Sequence, residues 1–132
     1  MPFRTLVVAA ACFRNGAGQV LTVRKRGTSA FMLPGGKLES GESALAAAVR
    51  EVSEEIGVQV VPGELVLLGE FTASAANERN TLVDATIYVS ADVIAPVASG
   101  EIDELRWVHP TEAGTASLAP LLREWIFPAL AA

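Results

Sequence analysis

Cysteine and histidine are nearly absent from this 132-residue chain, with Cys12 its one cysteine and His109 its one histidine. A single thiol excludes an internal disulfide, and one Cys with one His speaks against a Cys/His zinc site. A reducing cytoplasm suits that composition best. Basic residues are scarce as well: ten Lys and Arg stand against fifteen Asp and Glu, for a net charge of −5. Neutralising a nucleic acid polymer needs clustered Lys and Arg, so a broad phosphate-binding surface is not expected. A small phosphorylated substrate stays open, provided a metal ion bridges it to an acidic protein. Long apolar runs are missing too. The run from Leu6 to Phe13 follows Arg4 much as a leader would, but at eight residues it is at the short limit for one. It is also far too short to span a membrane, and a buried strand is the better reading. Cys12 within it reads as core filler.

What the chain does have is apolar mass: 51% hydrophobic residues against 19% charged ones. That favours burial over disorder and fits one domain over residues 1–132 with one core. No linker, repeat or low-complexity stretch divides it. Residues 4–13 read as a strand, "RNGAG" as a turn, and 19–25 as a second strand completing a hairpin. A short extended piece is expected at 31–33, before Pro34. Ser43 is a good N-cap for a helix over 44–56, which Gly57 stops. A short strand over 58–61, strands over 64–74, 81–90 and 104–109, and a final helix over about 118–127 complete the reading, with Pro128 beyond it. His109, at a strand end before Pro110, reads as structural, and Trp107, Trp125 and Phe127 as packing residues.

The stretch "GGKLESGESALAAAVREVSEEIG", Gly35 to Gly57, holds Glu39, Glu42, Glu51, Glu54 and Glu55, with Arg50 among them. At about 100° per residue, Leu45, Val49, Val52 and Ile56 form an apolar stripe. Glu51, Glu54 and Glu55 share another face, roughly 140° away. Like charges near a helix C-terminus oppose the macrodipole and repel each other. Spacing alone leaves two readings level: a solvated acidic face, or oxygen donors for a hard cation such as Mg²⁺ or Mn²⁺.

The wider pattern decides. Gly36, five residues, Glu42, seven residues, Arg50-Glu51-Val52, one residue, Glu54-Glu55, one residue, Gly57-Val58 resembles the Nudix box at every fixed position. Residue frequencies make a chance match on the order of one in a billion per start position, or rarer. "FMLPGGKLESGES" before the helix and "DELRWVHP" after it extend the resemblance over roughly residues 4–110.

The resemblance implies an α/β fold, an α/β/α sandwich around a mixed β-sheet. It also implies cleavage of a nucleoside diphosphate linked to another group, with Mg²⁺ or Mn²⁺. Carried over, Glu51, Glu54 and Glu55 become metal ligands, joined by the Gly36 carbonyl. The general base varies within the family, and some members use a glutamate outside the box. Glu101 and Glu104 are both candidates for that role or for an extra ligand. Arg50, held by Glu42, would orient the carboxylates. Gly35 and Gly57 would support the loop and the helix end, and "GESAL" is not a nucleophile elbow. Among the basic residues, Arg24 and Lys37 are expected phosphate contacts, although solvated charge is the default for such residues. The loop "SAANERN", with Asn77, Arg79 and Asn80, is an expected substrate selector.

Residues 72–76, "TASAA", hold neither the proline common in ADP-ribose members nor the tyrosine common in dinucleoside polyphosphate members. The long motif of NADH-type members is absent as well. By elimination the expected substrate is a (deoxy)nucleoside triphosphate, as in MutT-like enzymes, with ADP-ribose, nucleotide sugars and dinucleoside polyphosphates as alternatives. A non-catalytic nucleotide sensor on the same fold is the competing class, although such modules usually lose the box carboxylates. The expected partners are a nucleotide-type small molecule, no nucleic acid polymer and no membrane. Homodimers are common among such small domains.

Overall fold

The structure, a computed structural model, describes residues 4–112 and 117–131. Among the described residues six strands form two sheets: β1 (Arg4–Phe13), β2 (Val20–Lys25), β3 (Gly35–Lys37), β4 (Leu65–Ser74), β5 (Thr81–Ser90) and β6 (Ile102–Val108). The larger sheet runs β3-β1-β5-β4, and the smaller pairs β2 with β6. β1 and β5 are parallel, while β3 and β4 pair antiparallel with their neighbours, so the larger sheet is mixed. The expected β1–β2 hairpin does not form as a ladder. Only Arg14 and Val20 bridge across the turn, and β2 leaves for the second sheet. The reason lies in β1, which already carries β3 on one edge and β5 on the other. Asn15 holds the turn instead, its Oδ1 accepting from the Ala17 and Gln19 N–H groups at 3.0 and 2.9 Å.

Helix α1 (Ala44–Ile56) has the predicted bounds. Ser43 caps it by accepting from the Ala46 N–H at 3.1 Å, and Gly57 ends it at φ 68°. Successive β1 residues serve opposite faces. Ala9 packs against Ala47 and Ala48 of α1, while Ala10 and Cys12 join the core under Leu122, Ile126 and Phe127. The alanines let α1 approach the sheet closely. Cys12 is fully buried, and that burial pushes its thiol up to about 11. Helices thus cover both faces of the sheet.

Two expectations fail here. Residues 58–61 form no strand. The last helix runs through Pro128 rather than stopping before it: a wide π turn over Leu122–Ile126 leads into α2 (Phe127–Ala131). Proline lacks an N–H and its ring crowds the carbonyl four residues back. A wider turn placed just before it eases that clash, and the Phe127 N–H reaches back to the Leu122 carbonyl. Among the described residues no helix is long and apolar enough to cross a membrane.

Candidate active site

Strand β3 is only three residues long and forms the sheet edge beside the C-terminal half of α1. Its glycines are needed because there is no room for side chains. A methyl group at Gly35 would overlap the Ala9 carbonyl and Ala10, and one at Gly36 would overlap the Glu51 carboxylate. The edge and the helix therefore meet through backbone on one side and carboxylates on the other.

Of the two readings that spacing left level for the acidic face of α1, a fully solvated stripe is not what the structure has. Glu55 is only 6% exposed, and its Oε1 accepts the Gly35 N–H at 3.0 Å. The Glu51 side chain is mostly covered, while Glu54 stays open to solvent. The helical wheel places residues around an axis; it does not reveal that β3 lies across that face. Burial raises the Glu55 carboxyl to about 7 against the pull of the Gly35 N–H, with the Glu51 and Glu101 charges adding to the rise. Burial also raises Glu51, opposed by its bond to Arg50.

Arg50 organises the group. Its Nε and Nη2 form a fork on Glu42 at 2.8 and 2.9 Å, and its Nη1 donates to Glu51 at 2.7 Å. Nη2 also donates to the Lys37 carbonyl at 3.1 Å. That fork, helped by the Glu39 backbone, holds the Glu42 carboxyl down at about 2, and Glu42 in turn raises Arg50.

The segment after β5 supplies the last wall. The Val97 N–H bonds the Ile56 carbonyl at 2.9 Å, the Ser99 N–H bonds the Glu55 carbonyl at 3.0 Å, and the Ser99 Oγ bonds the Glu54 carbonyl at 2.8 Å. These contacts satisfy the open carbonyls of the helix end and bring Gly100 and Glu101 beside the carboxylates. Sequence reading missed the docking, because nothing in "ASGE" marks a partner 45 residues upstream.

A cleft of about 460 Å³ results, lined by Glu51, Glu54, Glu55, Gly36 and Glu101, with Lys25 and Lys37 among its walls. A second cavity of about 260 Å³ lies on the other face of β1, lined by Leu6, Val8, Leu33, Val83 and Leu121. The two share Lys25, Gly36 and Lys37, so they meet across the thin edge strand.

Of the expected residues, Lys37 lies at this junction and Glu101 lines the cleft, whereas Arg24, Glu104 and Arg79 line neither cavity. Arg24 is held by Glu104 at 3.2 Å, by Asp103 at 3.4 Å and by the Thr28 carbonyl at 3.0 Å. The β2–β6 register shifts between Arg24 and Lys25, and it is Lys25 that lines the cleft in its place. Arg79 is exposed. Asn77, in the same loop, lines the apolar cavity. The donors in the cleft suit a hard divalent cation in kind, being carboxylate and carbonyl oxygens. Among the described residues no three acidic, histidine or cysteine side chains stand close enough to enclose an ion; the Arg50 guanidinium lies among the carboxylates.

Comparison with known proteins bears on the family and the fold. The phosphatase NudJ of Escherichia coli (strain K12) is 28% identical over 125 residues, covering 90% of this chain and 80% of NudJ. A Nudix hydrolase structure from Nitrosomonas europaea aligns with a TM-score of 0.73 at 26% identity, over 93% of this chain and 86% of its own. The MutT protein of Methanosarcina mazei Go1 shares the fold with a TM-score of 0.80 at 24% identity, over 99% and 96% of the two chains. The family model of the NUDIX domain matches residues 4–130. The chain therefore belongs to the Nudix family, as a hydrolase acting on phosphoric anhydride bonds.

Proposed function

We propose that this hydrolase cleaves a (deoxy)nucleoside triphosphate to the monophosphate and pyrophosphate, with Mg²⁺ or Mn²⁺ as cofactor, in the cytoplasm. The observation that carries the reading is the single cleft shared by Glu51, Glu54, Glu55 and Gly36 with Lys25 and Lys37. Nudix hydrolases generally use divalent metal ions. In this reading Glu51, Glu54, Glu55 and the Gly36 carbonyl hold the cation, and Glu101 is a further ligand or the base. When bound, the cation supplies acidity to water and compensates the charge that develops on phosphate.

The remaining roles belong to side chains of the chain itself. Lys25 and Lys37 contact the phosphates where the two cavities meet, taking the place expected of Arg24. Arg50, gripped by Glu42, orients Glu51. The apolar cavity receives the organic end of the substrate, and its aliphatic lining suits an uncharged ring. The cleft is of small-molecule size, and the net charge of −5 supports a mononucleotide over a polymer. The sequence "TASAA" after the box supports a triphosphate over ADP-ribose or a dinucleoside polyphosphate.

The test is a panel of nucleoside and deoxynucleoside triphosphates, ADP-ribose, nucleotide sugars and dinucleoside polyphosphates, with products identified by ³¹P NMR. Monophosphate and pyrophosphate from a triphosphate, at the highest kcat/KM of the panel, is the expected result. A higher kcat/KM for another class would replace the substrate. Binding across the panel without turnover would favour the sensor class.

A further inference from the structure

The site as read so far uses Glu42, Glu51, Glu54 and Glu55 but leaves Glu39 without a role, although Glu39 also lines the cleft. Its Oε1 stands 2.9 Å from the Arg50 Nε, the same nitrogen that donates to Glu42 at 2.8 Å. Four carboxylates thus surround one guanidinium, the Glu54 oxygens being the most distant at 3.4 Å. The acceptors fall on two sides. Glu42 and the Lys37 carbonyl accept from Nε and Nη2, with Glu39 beside Nε as an ion pair only, while Glu51 and Glu54 take Nη1.

Glu51 Oε1 therefore has two claimants under the proposed reading: the Arg50 Nη1 and any cation that Glu51 ligates. We propose that Glu39 is a positioning residue that draws Arg50 toward the Glu42 side and so frees Glu51 and Glu54 for a divalent cation. The inference rests on the metal-binding reading of this cleft. Glu42 alone supplies a bidentate fork, but a guanidinium has five N–H donors, and its remaining ones seek the helix carboxylates. A second anion on the Nε side shifts that balance. Glu39 suits the task because its side chain is 65% exposed and belongs to the loop before α1, not to the helix that carries Arg50.

Mn²⁺ binding without substrate, followed by electron paramagnetic resonance of the free ion, tests this directly. Glu39→Gln is expected to weaken Mn²⁺ binding about tenfold, as for other residues that orient metal ligands, with the melting curve retained. A general field effect would also weaken binding, so two comparisons separate the causes. At 1 M KCl the Debye length is about 3 Å, and the ratio between wild type and Glu39→Gln is expected to persist. In an Arg50→Lys background, which keeps the charge but not the fork, Glu39→Gln is expected to lose most of its effect.

Wild-type affinity in Glu39→Gln, a loss that vanishes at 1 M KCl, or a loss undiminished in the Arg50→Lys background would each overturn the proposal. Should Arg50→Lys bind no Mn²⁺, the salt series alone decides. If the wild-type chain itself binds no Mn²⁺, the metal-binding reading falls and this inference with it. Binding by wild type with an unaffected Glu39→Gln removes only the inference.

Discussion

Gly36 makes the local demand of the site plain. The space where its Cβ would sit is filled by the Glu51 carboxylate, the same group that accepts from Arg50 Nη1. Gly36→Ala is expected to push Glu51 off Arg50 and lower kcat/KM by at least about tenfold, since ligand orientation is lost. Because Glu51 is a side chain and can give way, circular dichroism should show the fold kept. Normal turnover in Gly36→Ala would refute the close fit. Glu42 gives a second test at this scale. Its carboxyl is lowered to about 2 by Arg50, from an ordinary value of 4.5. A carboxyl with a lowered folded-state value stabilises the fold above its unfolded value and loses that contribution as pH falls through the folded one. The stability gap between wild type and Glu42→Gln should therefore be constant above about pH 5 and close as pH approaches 2. Thermal melts across that range check it, and a gap independent of pH would argue against the ion pair.

At the scale of elements, α1 shows how much a sequence can state. Ser43, the apolar spacing and Gly57 define its bounds within its own residues, and the structure reproduces them. Gly57 sits at φ 68° with only the Val97 carbonyl near its missing Cβ, at 4.0 Å. Gly57→Ala is thus expected to cost about 1–2 kcal/mol through backbone strain alone, measured by denaturant unfolding. No change in the midpoint would contradict the left-handed cap. What the sequence does not display is tertiary. The covering of Glu55 by β3 and the docking of residues 97–99 on the helix end depend on partners distant along the chain. The choice of Lys25 over Arg24 depends on which way β2 turns its last side chains. The turn at Asn15 looked like a hairpin because hairpin chemistry is local, whereas the assignment of β1 and β2 to different sheets is not. Pro128 misled for a related reason: proline terminates most helices, but a wide turn placed before it lets this one continue.

Across the whole molecule, the sandwich has a functional consequence. Its edge strand β3 is thin enough, with two glycines, for an acidic cleft on the α1 side and an apolar cavity on the other side to meet. Under the proposed function one substrate would reach both, with its phosphates at Lys25 and Lys37 and its organic end in the apolar cavity. Shortening the apolar wall should then act mainly on binding. Leu121→Ala, in the cavity wall, is expected to raise KM more than it lowers kcat. A selective loss of kcat would instead put that cavity outside the substrate path.

The central claim is that the box carboxylates of one cleft hold a divalent cation that hydrolysis requires. The most direct measurement is turnover of the best substrate of the panel by chelator-treated protein, before and after adding Mg²⁺, alongside Glu54→Gln. Glu54 is exposed and is not part of the core, so this variant tests chemistry and not folding. The account predicts no turnover after chelation, recovery with Mg²⁺ in the wild type, and little recovery in Glu54→Gln. Full turnover in the presence of chelator, or in Glu54→Gln, would contradict it.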